Sequence, residues 1–226
     1  MPSYKKYSIP IPNKSKKSDT CFKLINTNIS YLYLGSLKVE YLPDLWKEIE
    51  KTKGLVIDLR CYPYDFVMGY ISNNLMNSNT LFVKASLASI IQPGTFIHTQ
   101  PLKINAYTQF VKGCINNKQY YEGKVAILIN EITQSHAEFS AMAYRNAPEA
   151  KVFGSSTAGS DGNVSEIYLP GSIKTYISGI GVYYPDGRET QRIGIIPDIE
   201  VKPTIKGIKE GRDEVLERAI EWIKEK

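Results

Sequence analysis

The stretch Gly123-Lys-Val-Ala-Ile-Leu-Ile-Asn130 constrains the fold more than any other part of this 226-residue chain. Its apolar residues do not alternate with polar ones, so an extended segment there needs cover on both faces. Residues 54–60, Gly-Leu-Val-Ile-Asp-Leu-Arg, have the same character. Two such strands belong inside a parallel sheet, whose neighbouring strands are joined by crossovers, usually helical. Residues 42–52 supply one crossover, with Leu42, Leu45, Trp46 and Ile49 on one helical face and Pro43 in the first turn. A weaker helix is read over 67–76. Residues 135–146 read as a helix rich in Ala, Met, Glu and Phe, and 213–226 as an amphipathic helix with Val215, Leu216, Ile220 and Ile223 on one face.

Strand character also appears at 29–35, 81–86, 151–154, 165–169 and 174–184, with a hairpin-type turn at Asp186-Gly187. Residues 90–105, which hold His98, read as irregular, and 107–114 as a short helix. The expected class is α/β, a mostly parallel sheet flanked by helices with an added β-hairpin region. Sites in such sheets lie at the carboxyl ends of the strands. The loops after Arg60, Asn130 and Gly154 are therefore expected to converge.

Residues 1–20 are polar, Lys- and Pro-rich and without period, and read as a linker or unordered arm; residues 21–226 form the core domain. Much of the net charge of +5 sits in that arm, at Lys5, Lys6, Lys14, Lys16 and Lys17. Such a run is a solvated tail, and no basic helix interleaved with aromatics follows, so nucleic acid is not an expected partner. Cys21, Cys61 and Cys114 are too few and scattered for a disulfide framework, and no CxxC pair is present for zinc. No metal or cofactor is expected. No apolar run is long enough to span a bilayer, and Met1-Pro-Ser-Tyr-Lys-Lys lacks the apolar core of a signal peptide. The linker-like opening fits a piece of a longer exported protein, with its leader and an upstream domain preceding it.

The chemistry concentrates in Lys124-Val-Ala-Ile-Leu-Ile-Asn-Glu-Ile-Thr-Gln-Ser-His-Ala-Glu-Phe139. A buried strand runs into a tight turn, and Ser135 then opens a helix. The turn lifts the hydroxyl out of the sheet, and free amides at the helix N-terminus can hold a developing oxyanion. The plainer reading makes Ser135 an N-cap, with Glu138 completing a capping box.

Neighbouring segments bear on the choice. Residues 54–60, 130–138, Gly154 to Gly162 and Gly194-Ile-Ile-Pro-Asp198 occur in a fixed order. Together they resemble the tail-specific, or C-terminal processing, protease family, which includes the tricorn protease core. Members carry a Thr-x-Ser-x-x-Glu-like turn into a helix, then Gly-x-x-Thr-x-Gly, then Gly-Ile-x-Pro-Asp. The resemblance covers roughly residues 29–226. It implies a ClpP/crotonase-like spiral core, a serine nucleophile at Ser135, peptide or protein substrates and an extracytoplasmic location.

Both general bases of the family are replaced here. The Thr-x-Gly-Lys-Gly segment reads Thr157-Ala-Gly159-Ser160-Asp161, so Ser160 stands at the lysine position. The Gly-Tyr-x-His pattern reads Ser30-Tyr-Leu-Tyr33, so Tyr33 stands at the histidine position, and Gln191 stands where a glutamate is used. Cys61-Tyr-Pro-Tyr64 replaces a Gly-rich oxyanion loop. The catalytic candidates are Ser135, Tyr33 and Gln191. The oxyanion and cleft candidates are His136, through its backbone N–H, with Cys61, Gly159, Ser160 and Asp161. Tyr33 also reads as a core aromatic, since a phenol with a pKa near 10 needs a cationic neighbour to act as a base.

Three readings follow. The chain is a serine-type peptidase acting by acyl transfer on C-terminal or unfolded segments, with peptide added as a strand beside the site. Or it is a degenerate member that binds peptide or a small ligand without turnover. Or it is an interaction domain whose cleft is unused.

Overall fold

The computed structural model describes residues 20–77, 79–108 and 120–225. In chain order the elements are β1 (Phe22–Asn26), β2 (Ile29–Tyr33), α1 (Leu42–Ile49), β3 (Gly54–Asp58), α2 (Met68–Leu75), β4 (Leu81–Ala88), β5 (Phe96–His98), β6 (Leu102–Lys103) and α3 (Asn105–Thr108). There follow β7 (Lys124–Ile129), α4 (His136–Tyr144), β8 (Ala150–Gly154), β9 (Val164–Leu169), β10 (Ile173–Ser178), β11 (Ile180–Tyr183), β12 (Ile199–Glu200), α5 (Ile205–Lys209) and α6 (Glu214–Lys224). The arm predicted over residues 1–20 lies outside the described residues apart from Thr20, as does most of the helix predicted over 107–114.

The main sheet has the order β1-β2-β3-β7-β8-β12 and is parallel except for the β1–β2 hairpin. The two unalternating apolar runs are its central neighbours, paired Gly54 to Lys124 through Asp58 to Leu128. All five residues of β3 are buried, as an interior parallel strand requires. One face is covered by α1, α2 and α4, through side chains such as Trp46, Ile71 and Met142. The other face packs Val56, Ala126, Leu128 and Phe153 against Val215, Ala219 and Trp222 of α6. Burying each large aliphatic side chain contributes roughly 1.5–3 kcal/mol. The class is the expected α/β, with antiparallel additions.

A second sheet, β11-β4-β5 with β6 also on β4, stands beside α4, where Phe82 meets Phe139 edge-on at 5.2 Å. This corrects two expectations. Residues 90–105 are not simply irregular, because Phe96–His98 and Leu102–Lys103 become strands by pairing with β4. The strand expected over 174–184 divides at Gly179, the first half forming a hairpin with β9 and the second joining β4. The turn at Asp186-Gly187 is present, closed by Gly187 N–H donating to Tyr184 O at 2.9 Å. β1 and α5 carried no clear sequence signal, and α5 is a short, largely exposed helix.

Candidate active site

The three loops at the carboxyl ends of β3, β7 and β8 do converge, and Thr133 joins them. Fully buried, its hydroxyl donates to Leu59 O at 2.9 Å and accepts from Asn130 N at 3.0 Å, while its carbonyl accepts from Ala158 N at 3.0 Å. The turn ends on Ser135 with φ 50° and ψ −117°, a backbone region that disfavours any residue with a Cβ. Ser135 and Glu138 form the expected capping box, with Ser135 N–H donating to Glu138 Oε2 at 2.9 Å.

Glu138 does more than cap. Its carboxyl group is fully buried and accepts from three further donors on the loop after β8. These are Thr157 Oγ1, Gly159 N at 2.8 Å and Ser160 N at 2.9 Å. Thr157 Oγ1 in turn accepts from Ile195 N at 2.7 Å. The serine turn, the Gly-x-x-Thr-x-Gly loop and the Gly-Ile-Ile-Pro-Asp segment are thus tied through one buried carboxylate. Four hydrogen bonds offset the cost of burying it without a cation. Gly154 and Gly159 are needed for this closure. At φ 126° and 67° respectively, a Cβ on Gly154 would collide with Ile129 O and one on Gly159 would lie 2.9 Å from the Arg192 backbone. Asp198 closes the far side, exchanging hydrogen bonds with Val152 and accepting from Arg145 Nη2 at 2.8 Å.

Ser135 opens onto a cleft of about 590 Å³. Its floor is Ser135, His136 and Phe139 of the α4 end, one wall is Val83, Ala85, Leu102 and Val182 of the second sheet, and Tyr62, Phe66 and the Asp161-Gly162-Asn163 turn complete it. Most of the lining is apolar, with few polar groups, as in a specificity pocket.

Among the sequence-predicted residues, Ser135, His136 and Asp161 meet in this cleft. The His136 ring stacks on Phe66 at 4.9 Å with Tyr62 edge-on at 6.1 Å; burial lowers its pKa, and among the described residues Nε2 has no hydrogen-bond partner. Gly159 and Ser160 donate their amides to Glu138 rather than into the cleft. Gln191 donates Nε2 to Asp161 O at 2.6 Å and to Ile180 O at 2.8 Å, fixing the Asp161 turn against β11. Tyr33 and Cys61 contact one another and do not line the cleft; burial raises both, the Cys61 thiol to about 12. His98 is exposed on β5 against Tyr183. Among the described residues no hydrogen bond joins the Ser135 hydroxyl to a titratable side chain, and no cluster suited to a metal ion is present.

Two further residues build the site, Thr133 and Thr157, and the sequence alone does not single them out. The signal was there, since each is the threonine of a quoted motif, but threonine is equally common in strands.

The strain at Ser135 has a measurable consequence. Ser135→Gly should be more stable than Ser135→Ala by about 1 kcal/mol, because relief of ~1–3 kcal/mol of backbone strain exceeds the ~0.5–1 kcal/mol entropic cost of glycine. For a chain of this size that is roughly 2–4 °C in Tm. Equal melting temperatures would show that residue 135 is unstrained.

The profile of peptidase family S41 matches residues 82–201, which include Ser135, Glu138, Asp161 and Gln191. The chain belongs to peptidase family S41. No curated protein matches it. Among solved structures, a protein of Parabacteroides merdae provisionally assigned as a peptidase superposes with a TM-score of 0.74 at 22% identity, over 90% of this chain and 64% of that one. Mature CPAF complexed with lactacystin gives 0.63 at 14% identity, over 87% and 51%. The photosystem II D1 C-terminal processing protease gives 0.51 at 16% identity, over 78% and 43%. The chain therefore spans about two thirds or less of these neighbours' lengths, and at these identities they speak to the fold alone. No helix among the described residues is long and apolar enough to cross a membrane.

Proposed function

We propose that this chain is a serine-type peptidase in which Ser135 forms an acyl-enzyme with peptide substrates. One observation carries the reading. In a chain of peptidase family S41, Ser135 stands at a strained N-cap of a nine-residue helix and opens onto an apolar cleft. Its Oγ attacks the scissile carbonyl, and the amides of the first turn of α4, His136 N–H foremost, receive the oxyanion. The apolar lining suits a hydrophobic side chain next to the scissile bond. Action on C-terminal or unfolded segments is part of the proposal, in keeping with the D1 C-terminal processing protease among the neighbours. So is an extracytoplasmic location, in keeping with a structural neighbour that is a lipoprotein of Streptococcus agalactiae.

A fluorophosphonate probe tests this. The folded wild-type chain should take one covalent label, mapped to Ser135 by peptide mass, and Ser135→Ala should take none. A folded wild-type chain that stays unlabelled overturns the proposal and favours a domain that binds without turnover.

A further inference from the structure

We infer that Asp161 is the general base that activates Ser135, taking the place of the absent lysine and histidine. The inference rests on Ser135 being the nucleophile.

Position comes first. Ser135 N and Ser160 N donate to the same oxygen of Glu138, each at 2.9 Å, so the two backbones are joined through one atom. Asp161 is the next residue along that loop, and it lines the cleft with Ser135. The loop is held there once more, by Gln191 Nε2 on the Asp161 carbonyl, while Gly162 N–H, donating to Asp161 Oδ1 at 2.7 Å, orients the carboxyl group itself.

The second observation is an unpartnered oxygen. Asp161 is 3% exposed, yet among the described residues its Oδ2 has no hydrogen-bond partner. A buried carboxyl oxygen left unpaired is costly and unusual away from a working site. Glu138 provides the contrast. Its two oxygens are taken by four donors, so it has no free site for a proton from Ser135. Asp161 has one donor and one free oxygen. Two nearby carboxyl groups placed in such different surroundings are suited to different tasks.

Burial, with a contribution from the neighbouring Glu138 and against the pull of the Gly162 N–H, raises the Asp161 carboxyl to about 7. A base works best with a pKa near the operating pH. The other titratable groups lining the cleft are Tyr62 and His136; Glu138 acts on Asp161 through its charge but does not line the cleft. Tyr62 is an exposed phenol. His136 follows Ser135 directly, and adjacent helical side chains do not face each other; its ring is also held flat on Phe66.

The reaction balances. As Oγ of Ser135 bonds to the carbonyl carbon, its proton passes to Oδ2 of Asp161 and the carbonyl π pair becomes the oxyanion. Collapse breaks the C–N bond, and the leaving amine takes the proton from Asp161. Water then gives a proton to Asp161 while its oxygen attacks the acyl carbon. The C–Oγ bond breaks, and Ser135 recovers the proton.

The test is the rate of fluorophosphonate labelling of the full chain against pH. In the wild type the rate should rise through a midpoint near 7. Asp161→Asn should keep the fold and lower the rate by about 10²-fold or more, in the range of general-base assistance, with the midpoint lost, while Asp161→Glu restores part of the rate. Labelling at Ser135 that is as fast in Asp161→Asn as in wild type overturns the role of Asp161 and leaves Ser135 as nucleophile. A midpoint that survives in Asp161→Asn but disappears in His136→Phe assigns the base to the imidazole instead, and overturns the inference. No label in the wild type overturns both. Should Asp161→Asn fail to fold, ¹³C NMR of carboxyl-labelled aspartate in the wild type decides. One aspartate titrating near 7 upholds the inference, and none above 5 defeats it.

Discussion

Glu138→Ala is expected to destabilise the protein by about 3–5 kcal/mol and to remove labelling at Ser135. The side chain is fully buried and accepts from Ser135 N, Thr157 Oγ1, Gly159 N and Ser160 N. Leaving a buried donor unpaired costs roughly 1–3 kcal/mol. Water entering the space left by the carboxylate would satisfy some of the four, which sets the expected total below their sum. Glu138→Gln is the sharper variant. It keeps the volume, but its NH₂ group must face two of the N–H or O–H donors now bound to an oxygen. It should therefore lose nearly as much stability as Glu138→Ala. Urea unfolding of both variants checks this, with Tm expected about 10 °C lower. A Glu138→Gln chain as stable as wild type would mean that filling space, not accepting hydrogen bonds, is what Glu138 does.

The second large effect lies at the other face of the sheet. Arg60 bridges Asp58, at 2.6 Å, and Asp213, at 2.7 Å, and Asp58 also accepts from Tyr31 Oη at 2.7 Å. Asp213 caps α6 through Leu216 N, while Lys124 Nζ meets the carbonyls of Trp222 and Glu225 at the helix's other end. The helix is thus pinned at both termini across the sheet. Arg60→Met removes the cation and leaves Asp58, 3% exposed, without it. Breaking a buried pair in this way costs about 3–5 kcal/mol. The acid limb of the stability curve should change as well. Burial raises Asp213, but the hydrogen bonds and charge of Arg60 outweigh it and hold the carboxyl below its usual value. Stability from a depressed carboxyl is present above the unfolded pKa near 4 and is lost as pH falls through the folded value. Arg60→Met should lack that part of the acid loss. Unfolding free energies of both chains between pH 2 and 7 check this, and parallel curves over that range would show that Arg60 does not couple to Asp213.

Local pattern was enough for the strands and helices that lie next to solvent on one side or nowhere. The unalternating runs at 54–60 and 123–130, short and opening on glycine, read as interior strands, and the spacing of Leu42, Leu45, Trp46 and Ile49 reads as one face of a helix. β5, β6 and the division at Gly179 were not legible, because a strand of two or three residues has no period of its own. It exists because β4 offers it a ladder of hydrogen bonds.

At the candidate site the sequence alone placed Ser135, the proposed nucleophile, at a helix start behind a buried strand and a tight turn. Strand, turn and Ser135 at a helix start are features of adjacent residues, and they report local geometry directly. Through the family resemblance the sequence also set Ser160 and Tyr33 at the positions expected for a lysine and a histidine base. Only the tertiary structure decided what surrounds Ser135. Glu138 became a four-donor anchor because a loop 19 to 22 residues away closes over it. Tyr33 was set against Cys61, out of the cleft, and Asp161 was buried with one oxygen unpaired among the described residues. Burial and hydrogen-bond saturation depend on which distant segments meet, and those two quantities decide whether a carboxyl group is a structural anchor or a base.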